Sequence, residues 1–163
     1  MNVPGHVVRR VTAADAAQVQ ALFALDPHYF VHVEGAPLRD DEALVTLDER
    51  PPGIPLERKR VFLVDDVALL DMLEGYPDEH TWFLGLIFLA PNVRGRGFGT
   101  HLLEALRDHA RERGARALRL AVAKQHPDAR RLYERLGFRF IDHRKRTVYT
   151  GAVVELELME LAL

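Results

Sequence analysis

The sequence predicts an α/β fold, a mixed sheet with helices packed on its faces. Three observations carry that prediction. The uninterrupted apolar run Thr81 to Leu89 reads as a strand covered on both faces. Shortly after it, Phe98 to Arg113 sets Phe98, Leu102, Leu103, Leu106 and Ala110 on one helical stripe. The element order then mixes the two kinds along the whole chain: strand and helix, a helical excursion, three strands, then helix, strand, helix and two strands. With 163 residues, no internal repeat and no low-complexity segment, one domain spanning 1–163 is expected.

The elements follow in order. His6 to Val11 is short and β-branched, and Thr12 with Asp15 three residues on forms a capping-box variant. The helix that follows carries Val19, Leu22 and Phe23 and stops before Asp26-Pro27. Residues 28 to 57 read as irregular, with an aromatic pair (Tyr29, Phe30), a short helix from Asp40 to Glu49 and the breaker Pro51-Pro52-Gly53. Val61 to Val64 and Val67 to Leu73 form a hairpin around Asp65-Asp66. After the Phe98 to Arg113 helix, Gly114 marks the stop, and Leu118, Leu120 and Val122 alternate along the next strand. Pro127 suits a first helical turn, with Ala129, Leu132, Tyr133 and Leu136 on one face and Gly137 at the end. Phe138 to Ile141 and Val153 to Met159 supply the last strands.

Composition narrows the function classes. Apolar residues make up 48% and charged residues 28%, the mix of a folded soluble protein. A net charge of −2 gives no reason to expect nucleic acid or an anionic membrane as partner. No apolar run reaches the ~20 residues that span a bilayer. The N-terminus lacks a signal-peptide pattern, so a cytoplasmic location is expected. With no cysteine there is no disulfide, no thiolate metal site and no enzyme thiol on which to park an acyl group. His28 and His32 share helical spacing but lack a third ligand, so no metal is expected.

The chemistry concentrates in Leu89-Ala90-Pro91-Asn92-Val93-Arg94-Gly95-Arg96-Gly97-Phe98-Gly99-Thr100. A buried strand ends, glycines alternate through a tight turn, and an amphipathic helix begins at once. Glycine lets backbone approach a ligand closely. The free N–H groups of the first helical turn converge where the helix dipole favours an anion. Arg94 and Arg96 add charged donors, so the expected ligand is a phosphate or pyrophosphate. A nucleotide-triphosphate loop needs Lys-Ser or Lys-Thr, which is absent here. A dinucleotide fingerprint needs a glycine where Thr100 stands, and Leu120-Ala121-Val122-Ala123 offers no acidic residue for a ribose.

This turn resembles the acyl-CoA motif of the GNAT superfamily of N-acyltransferases, [Arg/Gln]-x-x-Gly-x-[Gly/Ala], at Arg94, Gly97 and Gly99, with Pro91 just upstream. The second signature of that family is similar to Leu132-Tyr133-Glu134-Arg135-Leu136-Gly137-Phe138. The resemblance covers residues 60 to 163; before that only the strand-helix opening agrees. It implies a mostly antiparallel sheet whose central strands splay apart to admit acetyl-CoA as co-substrate. Backbone groups of Ile87, Phe88 and Leu89 would pair with the pantetheine arm, and Gly95, Arg96, Gly97, Phe98, Gly99 and Thr100 would hold the pyrophosphate. His126 stands where the family often places an asparagine and takes its place as a cofactor contact. The implied reaction is direct attack of an amine on the thioester in a ternary complex, with a strand N–H near Leu89 polarising the carbonyl.

Two readings of Tyr133 stay open: a core aromatic, or the acid that protonates the leaving CoA thiolate. A phenol of pKa ~10 against a thiol of ~8.5 makes that transfer close to balanced. No general base is evident. Thr81 to Leu89 holds no ionisable residue, which leaves Glu74, Asp78, Glu79 and His80 upstream as the nearest choices. The missing base also keeps a non-catalytic acyl-CoA-binding module open as the alternative. The acceptor is expected to be a small-molecule or peptide amine, in a pocket shaped by Tyr29, Phe30 and Trp82; a homodimer stays open.

Overall fold

The apolar hairpin and the long central run build one half of the sheet. In a computed structural model describing residues 1–163, β1 (Val8–Arg10), β2 (Lys59–Val64), β3 (Ala68–Leu73) and β4 (Thr81–Leu89) form an antiparallel meander. Between β1 and β2 lie α1 (Ala16–Phe23) and α2 (Glu42–Asp48), with helical turns over Pro27–Tyr29 and Phe30–Glu34. The second half comprises α3 (Phe98–Glu112), β5 (Ala117–Ala123), α4 (Pro127–Arg135), β6 (Arg139–Thr147) and β7 (Val153–Ala162). The seven strands lie in the order β1-β2-β3-β4-β5-β7-β6, and only β4 and β5 run parallel. The expected mixed, mostly antiparallel sheet is therefore the one observed.

Two differences from the sequence reading have clear causes. The stretch 28–57 is less irregular than expected: Asp26 caps a turn by accepting from the Tyr29 N–H at 3.2 Å, and Gly35, left-handed at φ +81°, ends the next. β6 runs to Thr147, well beyond Ile141, because an exposed edge strand is held by its backbone ladder to β7 and needs no apolar alternation.

The central strand carries a bulge that decides the site. Asp71 faces Leu86 and Met72 faces Leu84, so Gly85 is the extra residue of β4. The bulge swaps the faces of β4. Trp82 and Leu84 lie in the core beneath α3, while Leu86 and Phe88 lie in the core beneath α1 and α2. Both faces of the apolar run are thus used, which explains its lack of alternation.

β4 and β5 then part company. Their parallel pairing covers only Thr81 to Leu84 against Ala117 to Leu120, while β5 continues along β7 to Ala123. From Gly85 to Leu89 the β5 side of β4 has no strand partner. The splay expected of the central strands is present.

Candidate active site

The glycine turn delivers unpaired donors at one point. Pro91–Val93 make a single helical turn, and Gly95 (φ +73°) and Gly97 (φ +81°) take left-handed conformations that feed directly into α3. Gly97 is the N-cap and offers no side chain, and the first N–H bonded back within the helix is that of His101, to the Gly97 carbonyl at 3.1 Å. The N–H groups of Phe98, Gly99 and Thr100 therefore have no internal acceptor. The Phe98 ring itself is buried, so only its backbone faces the turn. Arg96 is exposed and forms no ion pair.

Arg94 is placed otherwise than its charge suggested. Its Nε and Nη2 donate to the Leu89 carbonyl at 2.8 and 2.6 Å, and Nη1 meets Asp26 at 2.5 Å. The guanidinium folds back onto the strand end, where a carbonyl and a carboxylate both lie within its reach.

The open edge of β4 also corrects the expected trio. Strand residues alternate in the direction of their backbone groups. The Ala90 N–H bonds to Val67 beside β3, so Phe88, two residues back, turns its N–H and C=O to β3 as well. Phe88 is thus withdrawn from any direct pairing in the splay. Ile87 and Leu89 face the gap, but their carbonyls are already engaged, that of Ile87 by the Tyr29 hydroxyl at 3.1 Å and that of Leu89 by Arg94. What the gap receives from both is their N–H.

On α4, Tyr133 is buried with its ring edge-on to Phe138 at 5.8 Å. The residue lines the cavity described below, and its hydroxyl is not among the sealed, unpartnered polar atoms. Burial, with the Glu34 charge as a lesser cause, pushes its pKa up to about 12. His126 directs Nε2 at the His32 carbonyl, 3.0 Å away; the carbonyl accepts, so Nε2 carries the proton. The ring thereby ties α4 to the Phe30–Glu34 turn and leaves Nδ1 for other contacts in the cavity that His126 lines. Arg130 pairs with Glu134 and Glu157, and Arg131 with Asp128.

Of these residues, Ile87, Leu89, Arg94, Gly99, His126 and Tyr133 line one cavity of about 800 Å³ that passes through the splay, and the rest of the glycine turn lies outside its wall. Its α3 side carries Gly99, Leu103, Ala129 and Tyr133; its α2 side carries Thr46, Glu49, Lys59 and Asp71. None of the upstream base candidates lines it. Glu74 is held by Arg60 and Arg113, Asp78 by the Thr81 hydroxyl, which keeps its pKa low, and His80 lies beside Glu79. Trp82 is core beneath α3, so it shapes no acceptor pocket, whereas Tyr29 and Phe30 line the cavity.

Sequence reasoning missed Asp71 and Lys59. Asp71 lies 8% exposed within a strand otherwise wholly apolar, Ala68-Leu69-Leu70-Asp71-Met72-Leu73. A single carboxylate in such a run is itself the signal, because burying an ionised group is costly without a partner. Lys59 provides it, with Nζ 2.9 Å from Asp71 Oδ2.

Comparison with known proteins agrees with this geometry. The model of the acetyltransferase (GNAT) family matches residues 20–138. The uncharacterized N-acetyltransferase YhfO of Bacillus subtilis is 25% identical over 133 residues, 80% of this chain and 88% of its own. An acetyltransferase from Thermus thermophilus superposes with a TM-score of 0.75 at 29% identity over 100% of both chains. The spermidine N-acetyltransferase of Vibrio cholerae, solved with CoA and spermine, shares the fold at TM-score 0.73 and 21% identity, over 96% of this chain and 95% of its own. The protein is an acetyltransferase and belongs to the GNAT family.

Proposed function

We propose that the whole chain acts as one domain that transfers an acetyl group from acetyl-CoA to the amine of a small molecule or peptide, by direct attack in a ternary complex. The observation that carries this reading is the cavity through the splay, whose wall runs from Gly99 in the first turn of α3 to the polar residues Thr46, Glu49, Lys59 and Asp71 on the α2 side. The pyrophosphate sits on the N–H groups of Gly95 to Thr100, where the dipole of a fifteen-residue helix adds to them. The pantetheine arm runs back along β4 and takes the N–H groups of Leu89 and Ile87, as an added strand would. This path sets the thioester towards Gly85, at the apex of the splay. An amine enters from the α2 side, and Tyr133 meets the departing sulfur from the α3 side.

The raised pKa of Tyr133 suits this role. The same desolvation that raises the phenol also raises the thiol beside it, so the balance between them is kept. No helix is long and apolar enough to cross a membrane, and we place the reaction in the cytoplasm.

Mass-shift screening of amine pools with acetyl-CoA tests the reading. The neighbour that holds spermine puts polyamines in the panel. With no cysteine to carry the acyl group, double-reciprocal plots for the best amine are expected to intersect. Parallel lines together with an isolable acyl-enzyme would contradict direct transfer.

The two arginines should separate in calorimetry with CoA. Arg96→Ala is expected to weaken binding about tenfold, the value of one charge-assisted hydrogen bond. Arg94→Ala should change it by about threefold or less, as for an exposed ion pair. The reverse order would show that Arg94 leaves Asp26 for the phosphates.

A further inference from the structure

We propose that Asp71 is the proton acceptor for the incoming amine, held by Lys59 at the apex of the splay. The inference rests on the acetyl-transfer reading above and supplies the base that the sequence did not reveal.

The placement follows from the bulge. Gly85 is the extra residue of β4, one position beyond the last β4–β5 pair, Leu84 with Leu120. A Cβ built on Gly85 would stand 3.0 Å from Asp71 Oδ2, so the carboxylate lies directly over the glycine's backbone. A side chain at this position would press the carboxylate away by a few tenths of an ångström. A pantetheine arm laid along β4 from the turn ends at this same point. The carboxylate is on the α2 face of the sheet and Tyr133 on the α3 face, so an amine and a leaving sulfur meet them from opposite sides.

The pair is built to keep a carboxylate dry and still reactive. Lys59 Nζ also donates to the Glu49 carbonyl at 2.7 Å, which fixes it. Asp71 Oδ1 is sealed from solvent and accepts no hydrogen bond, an uncommon state for a carboxylate oxygen, so Oδ2, which lies over Gly85 and takes the Lys59 donation, is the oxygen an amine can reach. The cavity wall around the pair brings Glu49 and Arg50 from beyond α2, and Glu34 with its partner Arg146 from the Phe30–Glu34 turn. Glu42, on α2, is held by Arg39. Burial raises the Asp71 pKa to about 6, Lys59 opposes the rise, and Glu49 and Glu34 add to it. The group is therefore mostly ionised at neutral pH, yet more basic than an ordinary aspartate.

The step balances as follows. The substrate ammonium gives one proton to Asp71, and the freed lone pair on nitrogen forms the C–N bond with the thioester carbon. The C–S bond breaks with its electron pair going to sulfur, which takes a proton from Tyr133. Nitrogen loses its second proton as the amide forms, which restores the phenol through solvent, and Asp71 releases its own proton to water. One proton is liberated per turnover.

The test measures thiol release with acetyl-CoA and the best amine of the panel across about pH 5 to 9. A base must be ionised to act, so wild-type kcat/KM should rise with pH through about 6 and then level. Asp71→Asn should lower it by about 10²–10³-fold and remove that acid limb, with CoA affinity unchanged. Lys59→Met removes the charge that favours the carboxylate, so the limb should move to higher pH while turnover above it persists. If Asp71→Asn folds poorly around an unpaired lysine, Lys59→Met/Asp71→Asn removes both charges and should fold, bind CoA and stay inactive. An Asp71→Asn enzyme within a few-fold of wild type, with its acid limb in place, overturns the assignment alone. A wild-type protein that binds CoA and acetylates no amine overturns the transfer reading, and the base with it.

Discussion

Tyr133→Phe should lower kcat by about 10²–10⁴-fold, the usual value of general-acid assistance, with CoA affinity and melting temperature close to wild type. The substitution deletes one oxygen from a side chain that is 9% exposed and packed edge-on against Phe138. The residue lines the cavity and its hydroxyl is not a sealed polar atom, so the substitution leaves no protein group unpaired. Packing and chemistry therefore separate cleanly. If Tyr133 served only the core, Phe would be tolerated and only Tyr133→Ala would do damage, through a cavity costing about 3–5 kcal/mol. The measurement is single-turnover acetyl transfer, where chemistry limits the rate. A Phe variant with wild-type turnover there would return Tyr133 to the core and leave the leaving thiolate to solvent.

Gly97→Glu should abolish CoA binding in calorimetry. A side chain at this position meets nothing within 4 Å, so the loss would not come from a clash. It would come from a carboxylate set among the N–H groups that would otherwise receive the pyrophosphate. The left-handed φ of +81° adds a strain of about 1–2 kcal/mol for any residue with a Cβ. Gly97→Ala carries the same strain without the charge and isolates it: the alanine variant should bind within about tenfold of wild type. Equal losses in the two variants would assign the effect to backbone strain, and undiminished binding in a folded glutamate variant would move the phosphate site elsewhere.

The alternative of a binding module without catalysis rested on the lack of a visible base. Asp71, as the proposed base, would remove that ground. It escaped a search for carboxylates near the central run because it belongs to the neighbouring strand, and only the register of β3 on β4 brings it to Gly85. The same holds for Tyr29 and Ile87, 58 residues apart, and for Arg94 and Asp26, 68 apart. Local company makes Arg94 a phosphate donor, and a distant aspartate is its partner in the structure.

What the sequence determined by itself is local. The strand Thr81–Leu89, the stripe of α3 and the glycine turn between them need only neighbouring residues, since hydrophobic period, helix capping and positive φ are properties of a few consecutive positions. Edge strand β6 was shortened in the reading because its sequence, exposed almost throughout, carries no such period. Tertiary structure decided which face each half of β4 buries, since one extra residue in a ladder reverses every side chain beyond it. It likewise decided the partners of Asp71, His126 and Arg94. Charges and donors settle on whichever groups the fold leaves within reach, and that reach is a distance in space that separation along the chain does not encode.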